Sequence, residues 1–449
     1  MKRFIIAGTR SGCGKTTVTC AVLSALKKRG LSPAAFKCGP DYIDPMFHRK
    51  AIGVSSHNLD SFFCGRDMLL YLLDEKVGGH DVSVIEGVMG FYDGAEGSAW
   101  SVSELTQTPA VIVIDCRGMS DSIGAVMKGF LSYRSNRIAG FIFSRLPEKL
   151  IPLAQRLCSE LGTEYFGCLP KCDITIESRH LGLVTADEID DIQEKLSRLG
   201  ELAEKYIRID RLLELGDVPL PEYTAPEISG FESAPVIAVA RDRAFCFIYQ
   251  ENIELLEKTG CTIRYFSPLE EKEVPEADGL ILCGGYPELY AERLSANRSM
   301  LDSVKKCISG GMPTIAECGG FMYLHDTLVS KDGTEYHMAG VISGKAFPTD
   351  RLQRFGYITM TAGEDNLLCS AGEKIKAHEF HYWDSTSCGD GFSAEKTDGR
   401  HWECAHVSDT LYAGFPHISF CSDIRIAERF VKKCMEHREN GQDKTDSTG

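Results

Sequence analysis

Two stretches of this sequence carry residue types at spacings that can do covalent or phosphate chemistry. The first is Pro313-Thr314-Ile315-Ala316-Glu317-Cys318-Gly319-Gly320-Phe321-Met322, which reads as an apolar strand, a sharp turn and the start of a helix. A cysteine on such an elbow presents its sulfur at a sheet edge, and the helix N-terminus favours the thiolate, the nucleophilic form. Backbone N–H groups at Gly319 and at Gly284-Gly285, which end the run Leu280-Ile281-Leu282-Cys283, can stabilise an oxyanion there. A cysteine nucleophile also needs a base. His417, in Gly414-Phe415-Pro416-His417-Ile418-Ser419-Phe420, is the candidate, with His378 and His381 as rivals. The spacing of those two rivals also suits a metal, but three ligands at structural-zinc spacing are not evident.

The second stretch is Gly8-Thr9-Arg10-Ser11-Gly12-Cys13-Gly14-Lys15-Thr16-Thr17, between a first apolar run and a first helical pattern. That is the context of a phosphate-binding loop. Glycines such as Gly12 and Gly14 let the backbone wrap phosphates with its N–H groups, and the helix N-terminus adds partial positive charge. Lys15 would reach the outer phosphates, and the Thr16 hydroxyl would hold Mg²⁺, with Thr17 beside it. The first glycine, Gly8, stands one residue earlier than the usual spacing requires. Glu86 closes an apolar strand and is a candidate Mg²⁺ ligand, since ligands gather at the carboxyl ends of parallel strands. Lys37, Asp41 and Asp44 lie among turn residues after another strand. Asp44 before Pro45 also fits a helix N-cap with proline at N1.

These residues need elements to hold them. Phe4-Ile5-Ile6-Ala7, Val82-Ser83-Val84-Ile85, Ala110-Val111-Ile112-Val113-Ile114 and Gly140-Phe141-Ile142-Phe143 are short apolar runs separated by helical patterns, the first of these spanning residues 16–29 and stopping at Gly30. Such alternation predicts parallel βαβ units. A proline-rich, acidic, aperiodic stretch follows, and it divides the chain into a front domain at 1–216, a linker at 217–234 and a back domain at 235–438. The back domain opens with Val236-Ile237-Ala238-Val239-Ala240 and is also α/β. Residues 439–449 are polar and read as a flexible tail.

With 449 residues, 43% hydrophobic, two such domains can bury sizeable cores. The formal net charge of -15 argues against a nucleic-acid partner. No apolar run is long enough to span a membrane. Eighteen cysteines without a C-x-x-C pair point to a reducing cytoplasm, where most act as small buried apolar residues.

Taken together, the phosphate loop, Lys37-Cys38-Gly39-Pro40-Asp41-Tyr42-Ile43-Asp44-Pro45, Asn58-Leu59-Asp60, Glu86-Gly87-Val88-Met89-Gly90-Phe91-Tyr92-Asp93-Gly94, Arg179-His180-Leu181-Gly182-Leu183, Ala244-Phe245, Gly284-Gly285-Tyr286-Pro287-Glu288, Glu317-Cys318-Gly319-Gly320 and His378-Glu379-Phe380-His381 resemble the cobyrinate a,c-diamide synthases. These belong to the dethiobiotin-synthetase-like amidotransferases that modify cobalamin precursors. The resemblance implies a P-loop NTPase-like parallel-sheet domain followed by a flavodoxin-like class I glutamine amidotransferase domain. It implies ATP and L-glutamine as co-substrates and Mg²⁺ as cofactor. Cys318 would attack glutamine with His417 as its base, and ATP would phosphorylate a side-chain carboxylate of a tetrapyrrole. Ammonia, kept from water on its way between domains, would then displace the phosphate. Asp41, Asp44, Asp60, Arg179 and His180 would meet the tetrapyrrole polycarboxylate, with Arg10, Lys37 and Arg241 as further partners for its acids, and Lys37 also counts with the loop residues among those that bind the nucleotide. A homodimer is compatible with this reading.

Two positions depart from the family pattern. Ser419 stands where the usual triad has a glutamate two residues after the histidine, so the base loses its expected orienting acid. Ser144 replaces an asparagine that could read the nucleotide base. Cobyrinate, hydrogenobyrinate and nickel sirohydrochlorin are all handled by close relatives, and cobyric acid synthase is a second enzyme reading. A nucleotide-switched scaffold of the partitioning-ATPase type would share the loop but has no use for Cys318 and His417.

Overall fold

The apolar run that begins the chain forms strand β1, Arg3–Gly8, every residue of which is buried. It lies at the centre of a parallel sheet with β2 (Pro33–Cys38), β3 (Ser56–Leu59), β4 (Val82–Glu86), β5 (Ala110–Asp115), β6 (Ile138–Ser144) and β7 (Glu164–Leu169), in the order β3-β2-β4-β1-β5-β6-β7. A computed structural model of the protein describes residues 2–171, 174 and 192–446. Two compact units make up the chain, residues 1–226 and 227–449.

In the first unit, helices cover both sheet faces, which is why the strands read as continuous apolar runs rather than alternating ones. The first helix, α1, spans Lys15–Lys28, and Gly30 follows it at φ +77° as the left-handed stop that its position predicts. Arg3 is fully buried yet satisfied. It donates to the Thr108 hydroxyl at 2.9 Å and to the carbonyls of Thr106, Val218 and Pro219. Those bonds, with the Tyr223 hydroxyl on Asp74 at 2.6 Å, tie residues up to 223 into this unit. Lone acids stand at strand carboxyl ends, Glu86 on β4 and Asp115 on β5, around the loop that leaves β1.

The second unit is built on five parallel strands, Val236–Ala240, Thr262–Phe266, Gly279–Leu282, Thr314–Glu317 and Leu411–Gly414. Numbered in chain order, they lie 2-1-3-4-5 across the sheet, the flavodoxin-like order. His406–Val407 adds an antiparallel edge. Between the fourth and fifth strands the chain builds most of a mixed sheet, in which His325–Val329 runs parallel to Ile342–Pro348, and of an antiparallel one. The antiparallel one pairs Lys374–His381 with the two-residue strand His417–Ile418, setting His378 opposite His417. The final helix, Ile424–Asp446, continues through what the sequence reading took for a flexible tail. Among the described residues no helix is long and apolar enough to cross a membrane.

Candidate active sites

In the first unit the loop after β1 turns on Gly12 (φ +70°) and Gly14 (φ +102°), conformations that side chains other than glycine's rarely adopt. Gly14 also has no room: a Cβ there would lie 2.6 Å from the Ser144 hydroxyl. A Cβ on Gly8 would lie 2.3 Å from the Cys13 sulfur, so the early glycine of this loop is a packing requirement. Lys15 is buried and donates to the carbonyls of Arg10 and Met89. Met89 holds φ +43°, a strained conformation of the kind that clusters at functional sites. Burial lowers the Lys15 pKa.

Beside it, the Thr16 hydroxyl donates to Glu86 Oε1 at 2.6 Å, and Thr17 continues the first turn of α1. Lys37 Nζ lies 3.0 Å from the same Glu86 oxygen, bonds Asp44, and is 3.9 Å from Asp41. His48 Nε2 is 3.4 Å from Glu86 Oε2. Burial would raise Glu86, but Lys37 and His48 pull it below the usual carboxylate range. Asp44 goes the other way, pushed up by burial and by the charge of Glu86. Burial opposes the charge on Lys37, yet Asp44, Glu86 and Asp41 hold its pKa well above the ordinary value. The donors beside the loop, the Thr16 hydroxyl and the Glu86 carboxylate, are hard oxygens. That set suits Mg²⁺, which takes one or two protein oxygens together with phosphates.

The other expected substrate residues separate. Asp41 Oδ1 accepts from the amides of Ile43 and Asp44, so Asp41, not Asp44, caps the short helix Ile43–Phe47. Asp44 is left free to meet Lys37 because it lies inside that helix. Asp60 is buried, and its Oδ1 accepts from the amides of Phe62 and Phe63, shaping a turn. Arg179 and His180 lie outside the described residues. A residue the sequence reading passed over is Asp115, on which Arg10, Arg117 and Arg145 converge at 3.0, 2.8 and 3.1 Å. Arg145, at φ +56°, also donates to the Gly12 carbonyl at 2.8 Å, linking the cluster to the phosphate loop. The missed signal was the one that found Glu86, an acid closing an apolar strand.

In the second unit Cys318 sits on the elbow between Thr314–Glu317 and the short helix Gly319–Tyr323, at φ 46° and ψ -99°. Its amide donates to the Gly414 carbonyl at 2.8 Å, which fixes the turn to the neighbouring strand. Glycines surround it for steric reasons. A Cβ on Gly320 would lie 2.0 Å from the Leu282 carbonyl, and one on Gly319 would lie 3.0 Å from the Gly285 amide nitrogen. Gly319 and Gly285, the two expected oxyanion donors, are therefore packed together. A Cβ on Gly284 would lie 2.4 Å from His417 Cε1.

His417 is buried, with Nδ1 3.5 Å from Glu317 Oε2. Burial alone would lower its pKa. Hydrogen bonding and charge from Cys318, and then from Glu317, raise it instead to about 10. The rival histidines behave oppositely. Burial and the neighbouring His417 take His378 down to about 3, and burial takes His381 down to about 4. The His381 ring stacks on Phe415 at 3.9 Å between centroids. So of the three histidines only the one beside the cysteine has its charged form favoured. Gly284→Ala should push that ring aside, and a displacement of about 1 Å costs roughly 10²-fold in rate. Assays of glutamine-driven and ammonia-driven product formation should show that loss in the first alone.

Comparison with known proteins follows the same division. Residues 4–183 match the CobQ/CobB/MinD/ParA nucleotide binding domain, and residues 236–423 match the CobB/CobQ-like glutamine amidotransferase domain. The chain is 39% identical to a cobyrinate a,c-diamide synthase of Thermoplasma volcanium, over 97% of this chain and 98% of that one. It is 38% identical to the protein of that name from Listeria monocytogenes, over 95% and 98% of the two chains. The same name belongs to a Priestia megaterium protein, 37% identical over 98% and 99%.

Proposed function

From the premise that this chain belongs to the cobyrinate a,c-diamide synthase family, we propose that it amidates the a and c acetate carboxylates of cobyrinate, using ATP and glutamine, in cobalamin biosynthesis. The observation that carries the reading is the pairing, in one chain, of the Cys318–His417 elbow with the Lys15–Thr16–Glu86 loop site, over nearly the full length of relatives that bear this name. The reaction class matches that pairing. A carboxylate is a poor electrophile, and an acyl phosphate supplies it with a good leaving group.

At the glutamine site, the Cys318 sulfur forms a bond to the side-chain carbonyl carbon of glutamine, with the Gly285 and Gly319 amides facing the oxygen that gains charge. His417 gives its proton to the departing nitrogen, and ammonia leaves a glutamyl thioester. His417, now neutral, takes a proton from water as the water oxygen bonds the thioester carbon, which releases glutamate and returns the sulfur as a thiolate beside the imidazolium. At the loop site, the backbone from Gly12 to Thr16 and the Lys15 ammonium hold the ATP phosphates while the terminal phosphoryl group passes to a substrate carboxylate. Thr16 and Glu86 are the residues that would hold Mg²⁺, which neutralises phosphate charge when bound. Ammonia then bonds to the acyl carbon, phosphate leaves, and a proton is lost to give the amide. Lys37 and Arg10, with Arg179 and His180, are assigned to substrate carboxylates, and a cytoplasmic enzyme fits the free cysteines.

A mass-spectrometric assay with Mg-ATP and glutamine, run in parallel on cobyrinate and nickel sirohydrochlorin, tests the substrate. Two sequential acid-to-amide conversions of cobyrinate are expected. Conversion of nickel sirohydrochlorin alone would move the same chemistry to another pathway.

A further inference from the structure

The glutamate that usually orients the histidine of such a site is missing from its place, since Ser419 follows His417 by two residues. The fold brings another carboxylate there. Glu317 is the last residue of the strand Thr314–Glu317 and directly precedes the nucleophile. It is buried, with 6% exposure, so its carboxylate answers to protein groups rather than to bulk water. The Ile418 amide donates to its Oε1 at 2.9 Å. That bond clamps the carboxylate onto the strand that carries the histidine. Its other oxygen, Oε2, faces His417 Nδ1 at 3.5 Å. The histidine strand is held from its far side as well, because the Asn252 side chain donates to the Ile418 carbonyl at 2.8 Å and accepts from the Phe420 amide at 2.8 Å.

We propose that Glu317 is the positioning acid of the glutamine site, aligning His417 with Cys318 from the nucleophile's own strand in place of the missing acid at Ser419. A carboxylate at Nδ1 favours the tautomer and ring orientation in which Nε2 faces the nucleophile, and it stabilises the imidazolium that donates to the leaving nitrogen. The groups that face His417 bear this out. Cys318 and Glu317 come from the elbow, and His378, Glu379 and His381 come from Lys374–His381. Burial keeps His378 and His381 neutral at neutral pH, and it raises Glu379 to about 7. Glu317 is the carboxylate whose oxygen faces the ring nitrogen, at 3.5 Å. Unlike an acid two residues after the histidine, this one is covalently next to the sulfur, so a shift of the elbow moves acid and nucleophile together.

The proposal rests on the glutamine-hydrolysing reading, and the test separates the two. Glu317→Gln keeps an oxygen for the Ile418 amide and the same volume, but removes the charge. Glutamate release from glutamine is measured against pH on the full chain with Mg-ATP and the tetrapyrrole that the mass assay identifies. Ammonia-driven synthesis is measured alongside. Glu317→Gln should lower kcat for glutamate release by about 10²-fold. The sign of the pH effect follows from charge: without the carboxylate the imidazolium loses its proton more readily. The alkaline limb should therefore fall by about one pH unit or more. Glu317→Asp should recover part of both, with ammonia-driven synthesis unchanged throughout. An unchanged alkaline limb, or equal losses with glutamine and ammonia, overturns the positioning role. A wild-type chain that releases no glutamate overturns the glutamine reading, and this proposal with it.

Discussion

Cys318→Ala is expected to lower glutamine-driven amidation by about 10⁴-fold or more, while ammonia-driven amidation stays within about twofold of wild type. The size follows from what the sulfur does. It is the atom that bonds the substrate carbonyl, and without it no thioester forms. His417 and the Gly285 and Gly319 amides would remain, but groups that act as a unit retain little when the nucleophile is gone. The selectivity follows from the chemistry of the second step, which consumes ammonia whatever its source. Cys318 sits at φ 46°, a conformation that disfavours most side chains, so alanine there removes a side chain without adding strain. Parallel product assays with glutamine and with ammonium salt read both numbers. Equal loss with the two nitrogen sources would mean that Cys318 matters for the fold rather than for glutamine.

Lys15→Met should have the complementary signature, a loss of about 10³-fold in amide formation with glutamine and with ammonia alike. Its ammonium is the buried positive charge of the phosphate loop, held inward by the Arg10 and Met89 carbonyls. Those carbonyls hold it at the mouth of the loop, where charge on a transferring phosphoryl group must be met. Methionine keeps much of the aliphatic stem, so packing against the loop survives and the charge is what goes. Mg-ATP binding followed by calorimetry should weaken, and cleavage of ATP should fall with amidation. Near-normal amidation by Lys15→Met with ammonia would remove Lys15 from the phosphoryl step.

The sequence reading found the parts of each site that are local. A phosphate loop is a contiguous string whose glycines, lysine and threonine act through the backbone that joins them, so Gly12, Gly14, Lys15 and Thr16 were legible at once. The same holds for Cys318, whose strand, turn and helix are neighbours in sequence. Acids at strand ends were legible in part. Glu86 was singled out, whereas Asp115 was passed over although it too closes an apolar strand with Arg117 two residues on; what the sequence does not announce is that Arg10 and Arg145 reach it as well. Asp41 and Asp60 show what the sequence did not announce: one carboxylate oxygen of each accepts from backbone amides of a following helix or turn.

By itself, then, the sequence determined the fold class, the division into two α/β units, and where the candidate nucleophile and phosphate loop lie, because strand pattern, turn chemistry and helix start are properties of short contiguous segments. It chose His417 over the rivals His378 and His381 on sequence context alone, and it found Ser419 where the usual orienting glutamate would stand. Tertiary structure adds what contiguous sequence does not hold. Pairing of Lys374–His381 with His417–Ile418 buries all three histidines, and only His417 gains neighbouring charge that outweighs the cost of burial. The Ile418 amide turns Glu317 toward that ring across 101 residues of chain. Desolvation and charge depend on what surrounds a group in space, and no spacing along the chain records them.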